Sequence, residues 1–358
     1  MKNILITAAG SPGFITIQKA IRASRYLSDV FIHGCDINPQ AIGLNLADRS
    51  FVVPCGTDRE YIPNLLKYCE LNKIDLLIPC ADEELLPLAQ SKMLFEGIGC
   101  SVLVADENSL SNILNKAKLY KFCLENNLSE YVGEYYLCNN INEIKTAYQS
   151  LLGRGYQVCV KPSTTHGSRG FRLIGDQPSR EDFFTKKPKN YNITIESLCQ
   201  ILDGPNFSDL LVMEYLPGIE YSVDCFARDT DFLCVPRTRE NVKEGICVSG
   251  KTVMNKDLIK ASEKIYNQLN LSYNTNIQFK YDLHGKPKLL EINPRFSGTM
   301  EHCRAAGVNF VEVAIHEILN MKKLDYKVNW GVKMTRVWSE MFQNKDVLWT
   351  LDGGHYDV

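Results

Sequence analysis

Asn276-Ile277-Gln278-Phe279-Lys280-Tyr281-Asp282-Leu283-His284-Gly285-Lys286-Pro287-Lys288-Leu289-Leu290-Glu291-Ile292-Asn293-Pro294-Arg295 reads as two alternating runs around a polar, glycine-containing turn, the local signature of an antiparallel hairpin. With the turn centred on His284-Gly285, Gln278 stands opposite Glu291 and Asn276 opposite Asn293. A period of two then sends Gln278, Glu291 and Asn293 to one face and Ile277, Phe279, Leu290 and Ile292 to the other. Directly opposed side chains lie about 4.5–5.5 Å apart at Cβ, so hard oxygen donors converge. Such a set suits Mg²⁺, which takes a few protein oxygens and completes its shell with water and substrate phosphate. Arg295, two residues past the last donor, adds a cation beside any phosphate bound there. The competing reading is a solvated outer face on a two-stranded ribbon, and the pattern alone does not separate the two.

The 358 residues are enough for two or three compact units. A hydrophobic fraction of 45% with 23% charged residues is that of a globular protein. The formal net charge of −2 marks no nucleic-acid or anionic-membrane surface. No apolar run approaches a membrane span, and Met1 to Thr7 reads as a first strand, not as a signal peptide. The 13 cysteines are scattered singly with no CxxC spacing, which argues against a zinc ribbon or a dithiol centre. They read as small buried hydrophobes in a reducing compartment, so a cytoplasmic location is expected.

From Lys2 to about Asp106 strands alternate with helices. Strands are expected at Ile4–Ile6, Asp29–Cys35, Asp75–Pro79 and Ser101–Val104, and helices at Ile15–Ser24, Tyr61–Asn72 and Glu83–Glu96. That alternation implies a parallel sheet covered on both faces. A helical connector follows, Ile113 to Asn126. The second half mixes strands and helices, with strands near Gln157–Lys161, Leu211–Leu216, Tyr221–Phe226 and Phe232–Pro236, an α+β body with antiparallel sheet.

Three further segments carry candidate chemistry. The turn Ala8-Ala9-Gly10-Ser11-Pro12-Gly13, with Asp36 ending the second strand, invites a dinucleotide reading through Gly10, Gly13 and Asp36. The GxGxxG fingerprint is incomplete, because Ala8 replaces the first glycine and Pro12 intrudes. Lys161 ends a strand and is followed by a loop with Gly167, Ser168, Arg169 and Gly170, whose amides can wrap a phosphate while the lysine supplies a point charge. Glu214-Tyr215-Leu216-Pro217-Gly218-Ile219-Glu220 turns from one strand into the next. Its edge can offer main-chain groups to adenine and Glu220 can hold ribose hydroxyls, while as a bare pattern it is a hairpin.

Taken in this order, the motifs resemble the ATP-grasp superfamily, over about residues 110–310. The motifs are Asn115-Lys116 at the head of the connector, Lys161 with its glycine loop, Glu214 to Leu216 with Glu220, and Gln278 with Glu291-Ile292-Asn293-Pro294-Arg295. The nearest look is to single-unit relatives of the carbamoyl-phosphate synthase large chain, of the carboxylate–amine ligase type. The resemblance implies a Rossmann-like pre-ATP-grasp domain over 1–110 and an ATP-grasp domain over 111–320, built as two α+β subdomains with the ATP lid at about 120–215. A C-terminal extension over 321–358 would pack on it. It further implies ATP and Mg²⁺ as cofactors, with Mn²⁺ as a substitute. Lys116, Lys161, Gly167, Ser168 and Gly170 would contact nucleotide phosphates. Glu214, Tyr215 and Leu216 would face adenine, and Glu220 the ribose. Gln278, Glu291 and Asn293 would hold the metal, and Arg295 the transferring phosphoryl group. Lys118 competes with Lys116 for its role. The sequence departs from the family where Asn115 replaces a frequent Asp and Thr299 a frequent second glycine. The implied reaction activates a carboxylate as an acyl phosphate and joins it to an amine or similar nucleophile, releasing ADP and phosphate. Arg237 and Arg239 are candidates for the acceptor carboxylate, and Ser11 and the Asp82–Glu84 turn for substrate contacts. The partners expected are small-molecule carboxylates and amines, not nucleic acid or membrane, with a homodimer as the expected assembly. A phosphotransferase of the same fold and an NAD-dependent oxidoreductase are the alternatives.

Overall fold

β1 (Lys2–Ile6), β2 (Val30–Asp36), β3 (Arg49–Val52), β4 (Leu76–Ile78) and β5 (Ser101–Val102) form a parallel sheet ordered β3-β2-β1-β4-β5. The unbroken apolar character of β1 and β4 reflects cover on both faces: Ile4, Leu5, Ile6, Leu76, Leu77 and Ile78 are all fully buried. β3 is absent from the sequence reading. It is an edge strand whose residues are mostly exposed, so it has no apolar periodicity to betray it. The structure is a computed structural model that describes residues 1–164, 169–176, 179–185, 191–228, 231–243, 245–337, 339–344, 347–349 and 355–357.

Helix α1 (Pro12–Arg22) starts three residues before its expected position because Ser11 caps it. The Ser11 Oγ accepts from Phe14 N at 3.2 Å and Pro12 fills the first turn. Helix α2 (Tyr61–Asn72) spans its expected range. The helix expected over Glu83–Glu96 is instead a 3-10 turn, Asp82–Glu84, followed by α3 (Leu85–Gln90) and α4 (Lys92–Gly97), broken at Ser91. The connector expected over Ile113–Asn126 is α6 (Lys116–Glu125), and a separate helix absent from the sequence reading, α5 (Glu107–Ile113), precedes it. The glycine turn after β1 is closed from within. Asp36 accepts from Gly10 N at 2.7 Å and from Asn38 N at 2.8 Å. A Cβ on Gly43 would lie 2.1 Å from the Ala9 carbonyl oxygen, so the segment after β2 presses directly on the turn. The carboxylate that a dinucleotide site would need for ribose is therefore spent on the protein's own backbone.

In the second half, β6 (Tyr135–Cys138), β7 (Val158–Pro162), β8 (Arg172–Ile174), β9 (Asn192–Ile193) and β10 (Leu210–Glu214) make a sheet ordered β6-β10-β7-β8-β9. Its pairs are antiparallel except β8 with β9. β11 (Glu220–Arg228) and β12 (Asp231–Thr238) continue the chain, followed by β13 (Asn241–Lys243), β14 (Ile246–Lys251), β15 (Thr275–Tyr281) and β16 (Pro287–Asn293). Four of these form an antiparallel sheet ordered β12-β11-β15-β16. The chain then returns past residue 320 to add β17 (Lys333–Thr335) to β14. One of the buried clusters reaches from the first sheet to the later one. Leu5 and Leu77 of the first sheet share a buried cluster with Val223, Ile277, Phe279 and Ile292 of the last.

The β15–β16 register pairs Gln278 with Glu291, Ile277 with Ile292 and Asn276 with Asn293, as the alternation predicts. It gets there by a route the sequence does not show. Near the turn the pairs are Tyr281 with Pro287, Lys280 with Lys288 and Phe279 with Leu289, a register one residue off. A β-bulge at Leu290 absorbs the extra residue and restores the offset before Glu291. Leu289, fully buried, therefore takes the inward position expected of Leu290. Gly218, in the turn between β10 and β11, has its N 3.0 Å from the Tyr281 carbonyl oxygen. A Cβ there would come within 2.6 Å of Tyr281, so glycine alone lets this turn lie against the end of the hairpin.

Candidate functional site

Lys116 opens α6, and Asn115 caps it by accepting from Lys118 N at 3.0 Å. The Lys116 N also donates to the Ser163 carbonyl at 2.8 Å, which ties the helix start to the exit of β7. This places the Lys116 Nζ 3.5 Å from Glu291 Oε2, with the residue only 8% exposed. Lys118 is exposed, so of the two rival lysines Lys116 is the one that meets the hairpin. From β7, Lys161 donates to the Tyr120 hydroxyl at 2.8 Å and to the Leu290 carbonyl at 3.4 Å. The bulge thus has a second consequence, since it turns a backbone carbonyl toward the lysine. Burial lowers the pKa of both ammonium groups. For Lys116, Glu291 opposes that shift and the neighbouring Lys161 adds to it.

Glu291 is the carboxylate that pairs with Lys116 and whose field reaches Lys161. The Asn293 Nδ2 donates to its Oε1 at 3.2 Å, and Gln278 faces it across the hairpin. Asn276, the fourth polar residue of this face, turns the other way and donates to Asp224 Oδ1 at 2.9 Å. One carboxylate and two side-chain amides on adjacent strands are oxygen donors of the kind a Mg²⁺ ion accepts, provided that water and phosphate complete the shell. Among the described residues no group of three or more His, Cys, Asp or Glu side chains is placed to cage a metal without such help. The donor set therefore fits a cation that arrives with a polyphosphate.

Arg295 and Asp82, singled out separately in the sequence, meet face to face. Nε and NH2 of the arginine lie 2.7 and 3.1 Å from Oδ1 and Oδ2 of Asp82, a bidentate clamp between the 3-10 turn after β4 and the loop after β16. Arg237 is a different case. Its guanidinium is fully buried, with Nε and NH2 on Asp224 Oδ2 at 2.9 and 2.5 Å, NH1 on Thr299 Oγ1 at 2.9 Å and NH2 on Ser297 Oγ at 3.2 Å. These contacts anchor the 297–299 loop, so Arg237 acts on that loop and does not stand open to a ligand. The departure at Thr299 thereby gains a reason: its hydroxyl accepts from Arg237.

The remaining candidates divide between site and scaffold. Glu214 is buried with Oε1 accepting from Glu134 N at 3.0 Å and its own N donating to Glu134 O at 3.0 Å, so its side chain and its amide hold the start of β6. The Tyr215 N donates to Gln157 O at 2.6 Å, its ring lies 4.6 Å from Lys280 Nζ, and Leu216 is buried. Glu220 begins β11 with its Oε1 2.5 Å from Arg239 Nε. Gly170 has φ of 75°, and a Cβ there would meet Pro162 at 2.7 Å. Gly167 and Ser168 lie outside the described residues. Ser11 is occupied as the cap of α1. Sequence reasoning passed over Asp224, although the alternation Glu220-Ser222-Asp224 sets it on the same polar face as Glu220.

Residues 206–340 match the family model described as "ATP-grasp in the biosynthetic pathway with Ter operon", and residues 4–103 match "PylC-like, N-terminal domain". The chain carries an ATP-grasp domain. The ATP-grasp match includes Glu214, Glu220 and the whole metal-type hairpin, while Lys116 and Lys161 precede it and enter by geometry alone. Carbamoyl phosphate synthase large chain of Clostridium acetobutylicum is 24% identical over 311 residues, 80% of this chain. The chain spans 27% of that relative's length. N5-carboxyaminoimidazole synthetase from Staphylococcus aureus complexed with ADP superposes with a TM-score of 0.69 at 14% identity, over 94% of this chain and 82% of that one. L-amino acid ligase from Bacillus licheniformis gives 0.61 at 13% identity, over 89% and 74%. The biotin carboxylase–beta-gamma-ATP complex from Campylobacter jejuni gives 0.64 at 13%, over 91% and 73%. At these identities the structural likeness establishes the fold: an ATP-grasp body behind a PylC-like parallel-sheet domain. Among the described residues no helix is long and apolar enough to cross a membrane.

Proposed function

We propose that the protein is an ATP- and Mg²⁺-dependent ligase that converts a carboxylate to its acyl phosphate and passes the acyl group to an amine, releasing ADP and phosphate. The observation that carries this reading is the pair of lysines on Glu291. Lys116 and Lys161 are drawn out of water from two different elements around Glu291, Lys116 pairing with it at 3.5 Å and Lys161 held beside it on the Tyr120 hydroxyl and the Leu290 carbonyl, and both lose proton affinity through burial. Two ammonium groups near one carboxylate are a surplus of positive charge, and a polyphosphate relieves it. A divalent cation on Gln278, Glu291 and Asn293 would supply charge neutralisation between the phosphates, with Mg²⁺ as the natural ion and Mn²⁺ as a substitute. Main-chain groups of Glu214, Tyr215 and Leu216 would take adenine. The Glu220 oxygen not held by Arg239 would take ribose hydroxyls, and the Gly167 to Gly170 loop would cover the phosphates. Arg295 would bind the transferring phosphoryl group. No side-chain nucleophile is needed, because positioning and electrostatics dominate phosphoryl transfer.

Arg237 would act as a positioning residue, setting the 297–299 loop that borders the acyl group. The division into a pre-grasp domain, a grasp domain with its lid, and a C-terminal segment returning through β17 belongs to this reading. So do a cytoplasmic setting and a homodimeric assembly. The superposition on an L-amino acid ligase and an N5-carboxyaminoimidazole synthetase supports ligation over simple phosphotransfer. An ADP-release screen over pairs of carboxylates and amines with Mg²⁺-ATP tests the proposal. ADP release that requires a carboxylate, together with an amide product detected by mass, is expected. ADP release with a phosphorylated product that no amine consumes would assign the protein as a phosphotransferase instead.

A further inference from the structure

Asp82 has no part in the reaction as described so far, although it stands at its edge. The 3-10 turn Asp82–Glu84 follows β4 at the carboxyl end of the parallel sheet, where doubly wound domains bind their ligands. The three acids of this turn have different surroundings. Glu83 is exposed. Glu84 is buried, with Oε1 accepting from Thr7 Oγ1 at 2.5 Å, Ala81 N at 2.7 Å and Cys80 N at 2.8 Å, and Oε2 accepting from the Tyr61 hydroxyl. Glu84 therefore staples the turn to β1 and α2, and Asp82 projects from a fixed backbone. Its carboxylate meets Arg295 and lies in the field of Lys116.

The geometry of the clamp sets what Asp82 can do. Arg295 commits Nε and NH2 to Asp82 and keeps NH1, whose contact with the Phe296 carbonyl at 3.5 Å is long and readily exchanged. A phosphoryl oxygen accepting from NH1 would stand one guanidinium width from the Asp82 carboxylate. A positively charged amine approaching the acyl phosphate is repelled by Lys116, Lys161 and Arg295, and the carboxylate that the clamp sets beside the phosphoryl group is Asp82.

We propose that Asp82 receives the ammonium group of the amine substrate and takes its proton as the amine attacks. This inference rests on the ligase reading above. The ammonium transfers one proton to the Asp82 carboxylate, and the nitrogen lone pair forms the C–N bond at the acyl carbon. The acyl C–O bond breaks, the bridging oxygen leaves with phosphorus, and phosphate departs with the electron pair and takes the second proton from nitrogen. Asp82 then returns its proton to solvent. Atoms and charge balance with no further reactant.

Hydroxylamine separates this role from support of Arg295, because it is uncharged at neutral pH and attacks acyl phosphates without deprotonation by the protein. Asp82→Asn is compared with the parent protein using the best carboxylate of the screen, with hydroxylamine in one arm and L-alanine or ammonium chloride in the other. Hydroxamate formation is expected to stay within a few-fold of the parent. Amide formation from the charged amines is expected to fall by about 10²-fold or more and to recover as the pH is raised toward the amine's own pKa. Equal loss in both arms with no recovery at high pH would show that Asp82 only positions Arg295, and no loss in either arm would remove it from the reaction. Either result overturns the proposal. A parent protein that makes no hydroxamate with any carboxylate overturns the ligase reading, and the amine site with it.

Discussion

Glu291→Ala is expected to reduce turnover by at least roughly 10²–10³, a loss of about 3–4 kcal/mol of transition-state stabilisation, while nucleotide binding without metal persists. The substitution removes the only carboxylate among the three hairpin donors. It also leaves Lys116, 8% exposed, without the anion 3.5 Å away that sustains its charge. The adenine and ribose contacts proposed for Glu214 to Glu220 lie outside the substituted strand and are expected to keep their geometry. Ile292→Val is the matched control, one residue along on the buried face. It is expected to cost about 0.5–1.5 kcal/mol of stability with little change in activity per folded molecule. Steady-state kinetics with calorimetric ADP binding reads both. Equal catalytic damage from the two, or full activity in folded Glu291→Ala, returns Glu291 to a solvated outer face.

The second large effect is on the fold. Asp224→Ala is expected to destabilise the protein by about 3–5 kcal/mol, because it strands a fully buried guanidinium without its counter-charge. Asp224 Oδ2 accepts from Arg237 Nε and NH2, the Cys303 Sγ lies 3.2 Å from the same oxygen, and Oδ1 accepts from Asn276. Four groups on β12, β15 and the helix Glu301–Ala305 converge on one side chain. Asp224→Asn keeps one acceptor oxygen and loses the charge, so its penalty should fall between those of alanine and the parent. Chemical denaturation with full curves checks this series. An unchanged midpoint for the alanine variant would mean that the Arg237 cluster is reached by solvent and that the 297–299 loop is anchored elsewhere.

These two sites also show what could be read in the chain beforehand. Gln278 opposite Glu291 was legible because polar and apolar residues alternate strictly at 276–279 and 291–293, and alternation fixes a face. The bulge was not, since Leu289 and Leu290 are equally apolar and nothing local says which one turns inward. Arg237 shows a general limit. Its partners Asp224, Ser297 and Thr299 come from β11 and the 297–299 loop, and only the folded chain shows that they engage all three guanidinium nitrogens, leaving an arginine that holds a loop. The Arg295–Asp82 clamp spans 213 positions, and each half could be placed near a substrate while their meeting could not. Asp36 illustrates the reverse error. A strand-end acid after a glycine turn fits a ribose ligand by spacing, yet its oxygens close the turn itself.

Transfer of ¹⁸O from a labelled carboxylate into inorganic phosphate tests the central claim most directly. An acyl phosphate forms when a carboxylate oxygen attacks the γ-phosphorus, and that oxygen leaves with phosphorus when the amine displaces phosphate. Mass analysis of phosphate from a reaction run to completion with doubly labelled carboxylate and excess unlabelled ATP should show one labelled oxygen for each amide formed. Phosphate without label, alongside amide and ADP, would contradict the account.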